Sequence, residues 1–281
     1  MDGGWDASAD TDETEHEFAD GRLAGTVRVG RTVRRATGPW TPAVHALLGY
    51  LGERGFDAAP RVLGFDARGR EILEFLPGIS APPDLAGFRG DEVLTGVARL
   101  LRRYHDAVAG FVAPPDAAWR HTVGAPREGE VICHNDIAPW NVIFVDGEPR
   151  AFIDWDFAAP GPRTWDISYA LLRFVPMYAD EAFGSPAERG RRIALFFAAY
   201  GTGDAIGPLA GDAVVGLIET RERTLLATQR AWGEAGVPGF PEMLRDGHDV
   251  AVERDLAYLA RHRAEIARAI DAGLVAVPAT R

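Results

Sequence analysis

The sequence predicts an α+β chain of two lobes, a small β-rich one followed by a larger, mainly helical one. Three observations lead there. Residues 25–35 and 61–76 read as short strands around turn residues, with one amphipathic helix between them. From about residue 91 onward, apolar residues recur mostly at helical spacing. Between these patterns, VICHNDIAPWNVIFV at 131–145 sets a polar knot between two apolar, β-branched runs. The expected division is an acidic, disordered tail over 1–17, a small lobe over 18–76 and a helical lobe over 77–281.

In chain order, GTVRVGRTVRR at 25–35 alternates around Gly30-Arg31, the pattern of a twisted hairpin. Gly38-Pro39 breaks the chain, and Thr41-Pro42 opens a helix to about Arg54, with Thr41 as N-cap. Val44, Leu47, Leu48 and Leu51 share one face of it. RVLGFDARGREILEFL at 61–76 gives two strands around a turn at 66–69, and Leu76-Pro77-Gly78 ends the lobe. Val93, Val97, Leu100, Leu101 and Tyr104 then form a helical stripe within 91–109. Further helical patterns follow at about 165–179, 186–200, 208–234 and 248–272, separated by Gly/Pro clusters at 201–207 and 236–241.

Charge and composition narrow the function classes. Residues 1–20 carry eight acids and no basic residue, and removing those eight charges from the formal −11 leaves −3. The imbalance belongs mostly to the tail, and no basic surface is offered to nucleic acid. No run of about 18 apolar residues predicts a membrane span, and the lack of a basic-then-apolar start favours the cytoplasm. All 30 basic residues are arginine, so no mechanism can use a catalytic lysine. Cys133 is the only cysteine, which excludes an internal disulfide and reads as a buried thiol. No oligomeric state is read from the sequence.

The knot is the informative stretch. His134, Asn135, Asp136 and Asn141 are poor core residues, because each needs a partner or water. One reading is a polar hairpin turn. The downstream segment FIDWDFAAPGPRTWDIS at 152–168 supports another, since it delivers Asp154, Asp156 and Asp166 toward the same region. Clustered carboxylates repel unless a positive charge lies among them, and Asn and Asp oxygens suit a hard cation such as Mg²⁺. A metal-assisted hydrolase and a phosphotransferase both use such a set.

The spacing of Asp136, Asn141 and Asp154 resembles the kinase-type H-x-D-x-x-x-x-N loop and its following metal-binding aspartate. More closely, HNDIAPWN followed by FIDWDFAAPGPRTWDIS resembles the aminoglycoside phosphotransferase family of small-molecule kinases. The resemblance covers nearly the whole chain beyond the tail, strongly at 131–168 and diffusely over the last hundred residues. It implies a bilobal, protein-kinase-like fold and transfer of a γ-phosphoryl group from ATP or GTP, with Mg²⁺, to a small-molecule hydroxyl. Asp136 would be the catalytic base, Asn141 and Asp154 the metal ligands, and His134 and Asp166 structural supports. Asp156 is open between the metal, the acceptor and a solvated turn, and Arg163 reads as a structural ion pair.

For the nucleotide, the resemblance implies the backbone of Glu74, Phe75 and Leu76 at the base and Gly25 and Thr26 near the phosphates. Arg34, with Arg35 as second choice, stands where the family has a lysine; an arginine can still neutralise phosphate. The family's helix glutamate has no clear counterpart, His45 occupying that face, and Asn135 replaces a common glycine. The acceptor would lie against residues 208–272, where Glu219, Glu234, Glu242 and Asp246 are available to a cation. Family analogy suggests a basic antibiotic, an aminoglycoside or a tuberactinomycin-type peptide, with a metabolic amino alcohol or sugar as the alternative. A catalytically weak nucleotide-binding scaffold is the reading from a different class.

Overall fold

The computed structural model describes residues 14–18, 25–80, 90–201, 206 and 209–276. The acidic segment through residue 13 and most of the 201–207 break lie outside those residues.

Valine and arginine alternate in the first hairpin, so β2 (Val27–Val29) buries both its valines while Arg28 stays exposed. Gly30 takes φ 54° in the turn, and β3 (Thr32–Arg35) returns antiparallel, with Val27 opposite Arg34. β4 (Val62–Phe65) and β5 (Glu71–Glu74) add the second hairpin, β5 pairing with β3 so that Arg35 stands opposite Glu71. The expected tail is corrected at its end. Residues His16–Glu17 form β1 on the edge of this sheet, in the order β1-β2-β3-β5-β4, and Glu15 holds Arg70 at 2.6 Å.

Helix α1 (Thr41–Glu53) packs the predicted face Val44, Leu47, Leu48 and Leu51 into the core. Its N-cap is Trp40 rather than Thr41. The threonine is the first helical residue, and its Oγ1 accepts the Gly38 N–H at 2.9 Å, closing the turn instead. After the short β6 (Ile79–Ser80), α2 (Asp91–Ala107) buries Tyr104, whose ring meets Phe56, Phe152 and Trp155 and whose hydroxyl donates to the Ile132 carbonyl. One continuous apolar core thus runs from α1 through the middle of the molecule.

The two runs flanking the polar knot do not pair with each other, which excludes the hairpin reading. β7 (Val131–Cys133) pairs antiparallel with β10 (Ala159–Gly161), whereas β8 (Val142–Val145) pairs with β9 (Glu148–Phe152) and with β6. Residues 134–141 and 153–158 therefore emerge side by side from two different small sheets. Gly129 makes this crossing possible, because a Cβ there would overlap the main chain of Gly161 and Pro162. Cys133 is buried, and burial pushes its thiol well above its ordinary pKa; its Sγ–H donates to the Pro162 carbonyl at 3.3 Å.

The second lobe is completed by α3 (Arg163–Phe174), α4 (Pro186–Tyr200), α5 (Gly211–Glu234), α6 (Phe240–Arg245) and α7 (His248–Ala276). Helix α6 starts at the end of the 236–241 cluster and fills the gap before the helical pattern at 248: six residues suffice for one turn and a half, too few to show a periodicity. Among the described residues no helix is long and apolar enough to cross a membrane.

Candidate active site

Helix α3 begins at Arg163 after Pro162, which places Asp166 in its first turn with its carboxylate directed at the loop leaving β7. Asp166 accepts the His134 N–H at 2.8 Å, the Asn135 N–H at 2.9 Å and His105 Nε2 at 3.1 Å. Burial pushes its carboxyl upward, but the hydrogen bond and charge of His105 and the loop amides hold it below the ordinary carboxylate range. His134 is fully buried; its Nδ1 accepts the Asp136 N–H at 3.3 Å and its Nε2 donates to the Ile153 carbonyl at 3.1 Å. One ring nitrogen accepting and the other facing a carbonyl defines a neutral imidazole, and burial accordingly lowers its pKa. Both residues are thus anchors of the loop.

Asn135 sits at φ 68°, a conformation that glycine adopts freely and asparagine tolerates. That is the physical reason asparagine can replace a glycine here, and its Nδ2 then donates to the Phe157 carbonyl at 2.9 Å, tying the two loops together. Asp154 is likewise left-handed, at φ 61°. Asn141 donates through Nδ2 to the Asp136 carbonyl at 2.9 Å and to its carboxylate at 2.7 Å. Burial raises the Asp136 carboxyl to about 6, the Asp154 charge adding to it, against bonds from Tyr169 and Asn141 and the charge of Arg173.

Asn141 Oδ1 and Asp154 Oδ2 make no hydrogen bond among the described residues. An amide oxygen and a carboxylate oxygen beside a second carboxylate are the donor set of a hard divalent cation. No group of three or more His, Cys, Asp or Glu residues forms a ready-made metal cage among the described residues. That fits an ion whose shell is completed by phosphate oxygens and water.

The choice between Arg34 and Arg35 is reversed by the structure. Successive strand residues face opposite sides, so only one of the pair can look toward Asp154. It is Arg35, whose Nε meets Glu71 at 2.6 Å, one terminal nitrogen Asp154 at 2.9 Å and the other Asp156 at 2.6 Å. Burial opposes its charge, yet three carboxylates raise its pKa further than burial lowers it. Arg34 instead lines a surface cleft of about 260 Å³ with Glu15, Asp66 and Arg70. The carboxylate missing from α1 comes from β5. Glu71 is buried and accepts His45 Nε2 at 2.7 Å as well as Arg35; burial raises its pKa, and His45 and Arg35 bring it below the ordinary value.

The remaining expectations divide. The Glu74 N–H donates to Arg61 and the Phe75 N–H to Arg31, both at 2.9 Å, so neither donor is open to a base, while the Leu76 N–H has no partner among the described residues. Gly25 takes φ 82° at the entrance to β2, beside a buried Thr26. No hydrogen bond joins these five residues to the catalytic loop among the described residues. The Glu219 carboxylate lies between Arg223 at 2.6 Å and Arg263 of α7 at 3.0 Å. Arg163 is the expected structural pair, with Asp106 at 2.8 Å. Asp156, left open, is an ion-pair partner of Arg35, and burial pushes its carboxyl up.

Sequence reading missed the neighbours that support the loop from behind. Arg221 on α5 donates to the Asn135 carbonyl at 2.6 Å and stacks between Trp165 and Tyr169, both at 4.6 Å. Glu222 beside it is buried, with Oε2 unpartnered, and burial raises its carboxyl to about 8. A carboxyl whose folded pKa exceeds its unfolded value costs stability as pH rises through the interval between them. Glu222→Gln is therefore expected to leave thermal stability nearly unchanged at pH 4 and to raise it at pH 8.5, by on the order of 4 kcal/mol. Melting curves of both proteins at the two pH values test this; a pH-independent difference refutes it.

A model of the phosphotransferase enzyme family matches residues 116–209, the span that holds the 134–141 loop and α3. The trifolitoxin immunity protein of Rhizobium leguminosarum bv. trifolii is 36% identical over 190 residues, covering 64% of this chain and 71% of that protein. Two solved structures share the fold. One is a choline/ethanolamine kinase family protein from Mesorhizobium loti, with TM-score 0.58 at 14% identity over 91% of this chain and 92% of that one. The other is an amicoumacin kinase, with TM-score 0.55 at 14% identity over 91% and 88%. The bilobal architecture is thus the protein-kinase-like one, with Asp136, Asn141 and Asp154 gathered at its centre, and the chain is a phosphotransferase that belongs to the aminoglycoside phosphotransferase family.

Proposed function

We propose that this protein transfers the γ-phosphoryl group of ATP or GTP to a hydroxyl of a small molecule, and that the acceptor is a basic antibiotic whose modification protects the cell. The observation that carries the transfer is the Asp136 carboxylate, held by Asn141 at 2.7 Å beside Asp154 on a loop pinned by Asp166. Support for a protective role comes from the 36% identity to a protein named for immunity to trifolitoxin.

The acceptor hydroxyl gives its proton to Asp136 as its oxygen bonds to the γ-phosphorus, and the nucleoside diphosphate leaves with the electrons of the broken bond. Asn141 and Tyr169, which both bond the Asp136 carboxyl, fix its rotamer for that proton transfer. A Mg²⁺ ion held by Asn141 and Asp154 supplies, when bound, neutralisation of phosphate charge. Arg35 holds Asp154 and Asp156 in register with the small lobe and thereby couples the donor side to the loop. Leu76 presents an open N–H for the base, and Gly25 and Thr26 border the phosphates.

Incubation with Mg-ATP or Mg-GTP and a panel of basic antibiotics, amino alcohols and sugars, read by mass spectrometry, tests this reading. One panel member gaining a phosphoryl group establishes transfer and names the acceptor class. Phosphorylation confined to an amino alcohol or a sugar overturns the antibiotic assignment, and nucleotide binding without transfer to any member points to a scaffold.

A further inference from the structure

The inference rests on the phosphotransferase reading and adds a residue to its chemistry. Arg120, in the segment before β7, has no hydrogen bond or ion pair among the described residues, although it is half-buried in a charged region. Its guanidinium carbon lies 4.6 Å from the Trp40 ring centroid, 4.6 Å from that of Phe157 and 5.2 Å from that of Trp232. These rings come from three parts of the fold: Trp40 caps α1 of the small lobe, Phe157 follows Asp156, and Trp232 lies on α5. Phe157 and Trp232 stack at 6.0 Å, and the Phe157 carbonyl is bonded to Asn135, next to Asp136. Aromatic faces take up the flat sides of the guanidinium and fix its plane, while its N–H groups stay free at the edge.

Charge says where that edge is useful. Asp136, Asp154 and Asp156 all lie near enough to favour the Arg120 charge, against a burial that weakens it. Of the other arginines around the site, Arg35 has each of its three nitrogens on a carboxylate, Arg221 donates to the Asn135 carbonyl and Arg173 to the Tyr178 hydroxyl. Arg120 makes no such bond among the described residues, so its whole fork of donors is unspent. A fork of N–H donors fits two oxygens of a phosphoryl group, and one fixed in advance costs no reorganisation when charge develops.

We propose that Arg120 is a catalytic residue acting in cis, donating to the non-bridging oxygens of the phosphoryl group as it passes from the nucleotide to the acceptor. The bond from γ-phosphorus to the leaving diphosphate oxygen breaks and the bond to the acceptor oxygen forms, the acceptor proton going to Asp136. Arg120 gains and loses no atom in this step. An inert strut between the lobes, made of the same cation and the same rings, is the reading it must be distinguished from.

The test compares wild type, Arg120→Ala and Arg120→Lys by calorimetry. Affinities for Mg-ADP and Mg-GDP are measured alone and with aluminium fluoride, which mimics the phosphoryl group in transfer. Arg120→Ala is expected to bind the diphosphate within about threefold of wild type but to lose about 10²-fold or more of the tightening that fluoroaluminate brings. Arg120→Lys, which keeps the charge without the fork, is expected to recover part of it. Phosphate released slowly from Mg-ATP or Mg-GTP with water as acceptor should fall in parallel. Equal tightening in wild type and Arg120→Ala overturns the proposal, as does an equal loss of diphosphate affinity and melting temperature in both variants, which marks a strut. Wild type that binds diphosphate but shows neither tightening nor hydrolysis overturns it too, whereas failure to bind either diphosphate removes the donor reading itself.

Discussion

Asp136→Asn is expected to lower the rate of phosphoryl transfer by about 10²–10⁴-fold while leaving nucleotide affinity within about threefold of wild type. The amide has nearly the shape of the carboxylate, and the bond from Asn141 Nδ2 to the Asp136 main-chain carbonyl, at 2.9 Å, does not depend on the side chain. What the substitution removes is the lone pair that accepts the acceptor proton. It also removes a negative charge that burial and Asp154 already disfavour. The melting temperature should therefore hold or rise, as is common where a site is arranged for chemistry rather than stability. Steady-state turnover on any panel member that accepts phosphate, with calorimetric nucleotide affinity and a melting curve, makes the comparison. Turnover close to wild type would remove Asp136 from its assigned role; a fall in melting temperature as large as the fall in activity would make that role structural.

Asp166→Asn is expected to have the largest effect on stability, a loss of about 3–5 kcal/mol, the usual cost of breaking a buried charged network. The carboxylate accepts from two loop amides and from His105, and Asp166, His105 and His134 are all fully buried. An asparagine turns one acceptor into a donor that faces donors, leaving buried N–H groups unpaired. The pH dependence has a definite sign. The folded-state pKa of Asp166 is depressed below its unfolded value of about 3.8, so its contribution is complete above that pH and is lost only as pH falls through the depressed value. The gap between wild type and variant should stay constant from pH 8 down to about pH 5. Urea unfolding across that range measures it, and a gap under about 1 kcal/mol would show that the loop is held by other contacts. Catalysis should fall as well, since His134 and Asn135 lose the anchor that places Asp136.

Much of this site is legible in the sequence because its residues are close in the chain. Asp136 and Asn141 lie five positions apart, and Asp154 follows one hairpin later, so spacing alone brings them to one loop region. Asp166, too, is reachable as a first-turn helix residue. The lobes are legible for a similar reason: valines alternating through 27–29 and leucines at helical spacing through 44–51 state which faces are buried before any tertiary contact is known.

The pairings are a different matter. Arg34 and Arg35 are adjacent and chemically identical, and only the pleat of β3 against β5 decides that Arg35 faces Glu71, Asp154 and Asp156. Glu71 reads as one of several hairpin charges until that register is known. The flanks of the polar knot look like a strand pair, because apolar β-branched runs carry no mark of their partner; β7 pairs with β10, where Gly129 permits the close approach to Gly161 and Pro162, while β8 turns straight back into β9. Arg120 and its three rings come from four segments, and the ion pair of Glu219 with Arg263 was not legible because a helix pattern does not say which neighbouring helix its charged face meets. The sequence by itself determined the lobes, the gathering of Asp136, Asn141 and Asp154 and the chemistry of their oxygens, all products of local spacing and residue type. The tertiary structure alone decided which arginine serves the site, what neutralises it and what stands behind the loop, since these depend on strand register and helix packing between residues far apart in the chain.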